Sequence, residues 1–195
     1  MKRWAAALLA TVALFGVEAP PSVAEPAAPS ADGAAIPGMT GHFTLSTATA
    51  RVVTEASFPG HWLVIYFGYT TCPDACPTAL NAIAAALTQL GPLTGKIQPL
   101  FITVDPQRDS PQVLADYVKA FDPRMLGLSG TEAQTAAAAK AFHVYYAVRP
   151  LGHGEYAIDH SSFVYIVDPR GRVAELLSGN LSPSAMAATL RNLVK

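Results

Sequence analysis

Residues 62–78 read WLVIYFGYTTCPDACPT. The first six are apolar without alternation, the pattern of a strand buried on both faces. Gly68 closes that run, and a polar loop carries Cys72 and Cys76 with three residues between them. Leu80, Ile83, Leu87 and Leu90 then recur at spacings of three and four, which predicts an amphipathic helix over residues 78–90.

Working outward, residues 100–104 (LFITV) form a second buried strand. Ser110-Pro111 is a helix start, with serine as cap and proline in the first turn. That helix runs to about Phe121, where Asp122-Pro123 stops it. Thr131 and Gln134 have the spacing of a capping box and open a helix through Ala141. Residues 163–167 (FVYIV) and 173–177 are strands joined by the turn Asp168-Pro169-Arg170-Gly171, hence a hairpin. Ser182-Pro183 opens a last helix that ends near Lys195. Upstream, Thr44-Leu45 and Val52-Val53 pair as a short N-terminal hairpin. A parallel βαβ unit, a late antiparallel hairpin and a closing helix predict an α/β, thioredoxin-like fold. Its central mixed sheet is flanked by helices, and a flavodoxin-like sheet would lack the late hairpin.

Of the 195 residues, 51% are hydrophobic and 14% charged, and the net charge is −1. Such a chain buries a core, which excludes the disordered acidic and basic classes. It has no basic footprint for nucleic acid. Residues 1–24 read as a signal peptide. Lys2 and Arg3 precede an apolar run over residues 4–17 that is shorter than the roughly 17 residues a bilayer span needs. Ser22-Val23-Ala24 offers a cleavage site, and residues 17–19 offer a second. Retention of the segment as an N-terminal anchor, with membrane association, is the alternative. No cysteine near residue 20 is available for a lipid anchor. Residues 25–37, rich in Ala, Pro, Ser and Gly, form a flexible linker, and residues 38–195 form one domain. The expected location is the periplasm or the outer face of the inner membrane, an oxidising space.

Cys72 and Cys76 are the only cysteines, too few for a disulfide framework. Two buried thiols packing as small hydrophobes would be the plainest reading, but both precede prolines. Pro77 therefore starts the helix and puts Cys76 at its N-terminus, where the dipole favours a thiolate. Such a pair can close a disulfide, exchange disulfides with a partner, or bind a soft metal. Three intervening residues instead of two favour metal. Two thiolates leave a zinc site incomplete, whereas Cu(I) is satisfied by two sulfurs and one imidazole. A lone histidine is more often structural: His61 sits beside the turn Pro59-Gly60, His143 near a helix end, and His42 and His153 beside glycines, whereas His160 leads into the apolar strand at residues 163–167 with Asp159 beside it to orient the ring. Disulfide exchange needs no histidine and stays open as the competing chemistry.

Three separated segments carry a resemblance: residues 66–78 around the cysteines, residues 101–109 (FITVDPQRD) with residues 121–124, and Asp159-His160-Ser161. They resemble the Sco/SenC family of thioredoxin-fold copper proteins, over about residues 41–193. The resemblance implies a copper chaperone that assembles the dinuclear copper centre of cytochrome c oxidase. It implies Cys72, Cys76 and His160 as ligands for Cu(I) or Cu(II), and a Cys72–Cys76 disulfide when oxidised. The implied partners are the copper-centre subunit of the oxidase, a copper donor and a thiol reductant. A thiol-disulfide oxidoreductase that reduces the cysteines of the same centre is the alternative, and a peroxidase relative a weaker third. Ala75 stands where the family often has valine, and His42 where it often has proline or a small residue. Arg108 and Asp109 are read as shaping the loop after the second strand, and Tyr145-Tyr146 as sheet packing.

Overall fold

A computed structural model of the protein describes residues 35–194. The proposed signal peptide and most of the linker lie outside the described residues. Strands β1 (Thr44–Ser46) and β2 (Val52–Thr54) form the N-terminal hairpin. Strands β3 (Trp62–Gly68), β4 (Ile97–Thr103) and β5 (Leu126–Leu128) run parallel to one another. Strands β6 (Tyr146–Gly152) and β7 (Glu155–His160) form a separate two-stranded arm. Strands β8 (Phe163–Val167) and β9 (Val173–Ser178) complete a five-stranded sheet of order β5-β4-β3-β8-β9, with β8 antiparallel to β3. The helices are α1 (Ala75–Leu90), α2 (Pro111–Lys119), α3 (Glu132–Ala141) and α4 (Pro183–Leu193).

The unbroken apolar run at residues 62–67 is explained by the position of β3 at the middle of the sheet, covered on both sides. Val64 and Tyr66 face a core built from α1, α2 and α4. Leu63, Ile65 and Phe67 face a second core built from α3, the N-terminal hairpin and Ile158 of the arm. The result is the expected thioredoxin-like arrangement of a mixed sheet between helices. Ile36 donates its N–H to the Val173 carbonyl at 2.9 Å, tying the start of the described chain to β9. No helix among the described residues is long and apolar enough to cross a membrane.

The capping signals hold in detail. Thr131 and Gln134 exchange side-chain-to-backbone hydrogen bonds at 3.2 and 2.9 Å. Ser110 and Ser182 accept from the N–H groups of Val113 and Ala185. Two elements begin earlier than the sequence reading placed them, and three more are absent from it. Helix α1 begins at Ala75, three residues before the start read from periodicity, with Asp74 as its cap residue. Pro77 is tolerated inside the first turn because N–H groups there have no intrahelical acceptor. Strand β4 begins at Ile97 and runs through Pro99, a residue that argues against a strand; β5 pairs only with residues 100–102, beyond the proline. Strands β5, β6 and β7 have no counterpart in the sequence reading.

Candidate metal centre

The cysteine loop leaves β3 at Gly68 and re-enters the fold at α1. The Cys72 N–H donates to the Tyr69 carbonyl at 3.2 Å, closing a turn that leaves Cys72 half-buried. Cys76, in the first turn of α1, has no exposed surface. His160 ends β7 and arrives from the arm on the far side of the chain. The ligand-capable atoms of Cys72, Cys76 and His160 all lie within 4.8 Å of one another, and they are the one such group of three among the described residues. The His160 Nε2 is 3.5 Å from the Cys76 Sγ.

The imidazole is oriented from both sides. Its Nδ1 lies 3.0 Å from the Ser161 carbonyl, which can only accept. Nδ1 therefore carries the proton in the neutral ring, and the Nε2 lone pair faces the sulfurs. The rings of Tyr66 and Tyr69 meet His160 edge-on at centroid distances of 6.2 and 5.8 Å. Asp159 does not orient the ring, contrary to the sequence reading. Alternation along β7 turns its carboxylate to the outer face, where Arg149 pairs with it at 3.2 Å. The group that fixes the ring is instead the neighbouring Ser161 carbonyl.

The two thiols are electrostatically unequal, in the sense opposite to the helix-dipole expectation. Cys72 is held well below the ordinary thiol range, first by a hydrogen bond from the Cys76 thiol. The N–H groups of Cys76 and Asp74 act in the same direction, against partial burial. The Cys76 N–H lies 3.4 Å from the Cys72 sulfur. Cys76 is pushed up by its bond to Cys72 and by burial, with the charges of Cys72 and Asp109 adding to the shift. The first-turn N–H thus serves the sulfur outside the helix rather than the one inside it. The metal-free reduced protein is therefore expected to be alkylated at Cys72 by iodoacetamide at pH 6, where an ordinary thiol is nearly inert. Cys76 should remain unmodified at pH 8; peptide mass analysis showing equal labelling, or labelling of Cys76 first, would refute this asymmetry.

The loop is braced by a residue that the sequence reading assigned only to loop shape. Asp109 is fully buried. Its carboxylate accepts from the Thr70 N–H at 3.0 Å, the Thr70 hydroxyl at 2.5 Å and the Thr103 hydroxyl at 2.6 Å. Gly68 is required by close approach. A Cβ there would sit 2.5 Å from the Cys76 Sγ and 3.0 Å from Cε2 of Phe101. The remaining histidines are not part of the centre. His42 is exposed and bonded to Glu55 at 2.6 Å, and His61 faces the Pro59 carbonyl. His143 and His153 are exposed, at positive φ. Ala75 is exposed too, so its difference from valine does not alter the core.

The donor set fits a single soft ion. Thiolate bonds of about 2.3 Å at trigonal angles separate donor atoms by about 4 Å, within the spread found here. Comparison with known proteins gives a consistent result. A family model described as SCO1/SenC matches residues 32–195. The chain is 36% identical over 157 residues to the human mitochondrial SCO1 homolog, covering 79% of this chain and 52% of that protein. It spans little more than half the length of the mitochondrial relatives that it matches. Its fold superposes on Bradyrhizobium japonicum ScoI, solved with copper bound, with a TM-score of 0.72 and 37% identity, covering 78% of this chain and 98% of that one. For yeast Sco1 with copper bound the TM-score is 0.73 at 36% identity, covering 80% of this chain and 89% of that one.

Proposed function

The chain belongs to the SCO1/SenC family, and on that premise we propose that it is a copper metallochaperone. It binds one copper ion, Cu(I) or Cu(II), through Cys72, Cys76 and His160. It delivers that ion to the copper-centre subunit of cytochrome c oxidase during assembly, from the outer side of the inner membrane, where residues 1–24 direct it. The observation that carries the reading is the convergence of two sulfurs and an unprotonated imidazole nitrogen from three separate segments. Such a set suits a cargo that must be held and then surrendered. The sulfurs select a soft ion, and the low coordination number leaves room for an incoming ligand. One thiol lies at the surface and the other beneath it, so a partner's cysteine can meet Cys72 before the copper leaves Cys76.

A second reading is supported by the same asymmetry. A surface thiolate at Cys72 with a protonated thiol behind it suits disulfide exchange. Cys72 attacks a partner disulfide, releasing one partner thiolate. Cys76 then displaces the other, so the partner is reduced and Cys72–Cys76 is left oxidised.

Anaerobic titration of the reduced protein separates the two. The metallochaperone reading expects one tight Cu(I) and one Cu(II) per chain. His160→Ala should weaken Cu(II) more than Cu(I), because the imidazole is the harder donor. Unchanged Cu(II) affinity and spectrum in His160→Ala would remove His160 from the ligand set. Absence of tight copper, with fast disulfide exchange, would favour the reductase.

A further inference from the structure

The two sulfurs and the imidazole are mounted differently. Cys72 and Cys76 belong to the body of the fold, whereas His160 is carried by the β6–β7 arm, which forms its own sheet and pairs with no strand of the central one. Most of β6 is exposed, and only Ile158 of β7 is buried. Beneath the arm lies a cavity of about 310 Å³, lined by Val104, Thr135, Tyr146, Val148, Tyr156 and Ile158 among others. The Thr135 hydroxyl beside it is buried without a partner. Apolar packing therefore seats the arm only in part, through Ile158 with Tyr146 and Tyr156 beside it.

Polar contacts from one loop complete the seat. The Arg108 Nη1 donates to the Tyr156 carbonyl at 2.8 Å. Its Nε donates to Asp105, and the Asp105 carboxylate also accepts from the Tyr156 hydroxyl at 3.0 Å. The guanidinium lies 3.7 Å from the centroid of the Tyr156 ring and 5.6 Å from that of Tyr69. The Tyr69 hydroxyl accepts from the Ile158 N–H at 3.3 Å, and its ring meets His160 edge-on. One cation thus grips β7 two residues before Ile158 and backs the ring against which His160 rests. The Arg108 Nη2 is buried without a partner. The fold keeps this guanidinium in place despite an unmet donor, a cost that surface charge pairing alone would not explain.

We infer that Arg108 is a positioning residue for the metal centre: through Asp105, Tyr156 and Tyr69 it clamps the arm so that the His160 Nε2 stays within reach of the sulfurs. The inference rests on the copper reading proposed above. It predicts that the clamp governs the histidine-dependent part of binding and leaves the cysteine-dependent part intact.

The test uses the full chain with Arg108→Ala, Arg108→Lys, His160→Ala and the double variant Arg108→Ala/His160→Ala. Arg108→Ala is expected to lower Cu(II) affinity about 10- to 100-fold, the usual effect of losing an outer support, with Cu(I) binding changed far less. The double variant should be no weaker than His160→Ala. Arg108→Lys should behave like Arg108→Ala, because an ammonium cannot bridge two acceptors while stacked on a ring. Tyr156→Phe, which removes a single hydroxyl, should give a smaller loss and serves if Arg108→Ala folds poorly. Arg149→Ala, on the outer face of the same arm, should bind copper as the parent does. A readout without metal keeps the two proposals apart: amide exchange over residues 146–160 of the apo protein should quicken in Arg108→Ala while β3 and β4 stay protected. Unchanged exchange there would overturn the clamp even if copper binds. Equal losses from Arg108→Ala with and without His160 would also overturn it, as would parent-like binding in Arg108→Lys. Absence of copper binding by the parent would instead overturn the metallochaperone reading.

Discussion

Cys76→Ala is expected to abolish tight copper binding while leaving the protein folded, and Cys72→Ala is expected to do the same. A four-ligand zinc site is worth about 10–16 kcal/mol, or about 3 kcal/mol per ligand. Losing one of three ligands should therefore weaken Cu(I) by at least about a hundredfold, measured by competition with a coloured Cu(I) chelator. The two variants should then part company in stability. The Cys76 side chain is fully buried among residues of β3 and α1, so its loss leaves a small cavity costing about 1 kcal/mol. Cys72 is half-exposed, and its loss should cost much less. Gly68→Ala supplies the third arm of the experiment. The added methyl would meet the Cys76 sulfur and the Phe101 ring, both fixed in the core. Copper should weaken although thiol titration still counts two cysteines. A Cys76→Ala protein that competes for Cu(I) as well as the parent would show that the buried sulfur is no ligand.

The parts of this fold that were legible in sequence are those whose signal is local. The run at residues 62–67, apolar without alternation and ended by Gly68, reads as a strand covered on both faces, and it is one. The caps at Ser110, Thr131 and Ser182 are short-range hydrogen-bonding patterns, and all three are realised. Strand β5 was not legible because its three residues, Leu-Gly-Leu, are shorter than any periodicity. The β6–β7 arm was not legible because it is exposed for most of its length and has no apolar alternation to display. The same distinction holds at the centre. Cys72 and Cys76 stand out as a pair, and His160 as a histidine leading into a core strand. What supports them was obscured because the contacts are long-range: Asp109 reaches back to Thr70, Arg108 forward to Tyr156, and Tyr69 to Ile158. The misassigned thiolate has a similar origin. Helix position alone favoured Cys76, but burial and the direction of its N–H decide for Cys72.

Asp109→Ala is expected to be the most damaging substitution outside the ligands themselves. The Asp109 carboxylate is buried without a cation and is satisfied by donors from the Thr70 backbone and the hydroxyls of Thr70 and Thr103. Removing it leaves those donors facing an apolar void. Each stranded donor costs on the order of 1–3 kcal/mol, and the hydroxyls recover part of this by rotating. A net loss of about 3 kcal/mol follows, which in a domain of this size lowers the melting temperature by about 6–12 °C. Damage should spread along two routes. Thr70 lies two residues before Cys72, so the loop that turns the sulfur inward loses its brace. Thr103 also accepts from the Asp105 N–H at 2.9 Å, so the acid that holds Arg108 loses part of its seat. Asp109→Ala should therefore weaken Cu(I) as well as Cu(II), unlike Arg108→Ala, whose effect is confined to the histidine. Thr70→Val, which deletes one hydroxyl and keeps the carboxylate, should cost about 1 kcal/mol and leave Cu(I) binding close to the parent. A melting temperature for Asp109→Ala within 2 °C of the parent would mean that the carboxylate is not the brace of the cysteine loop.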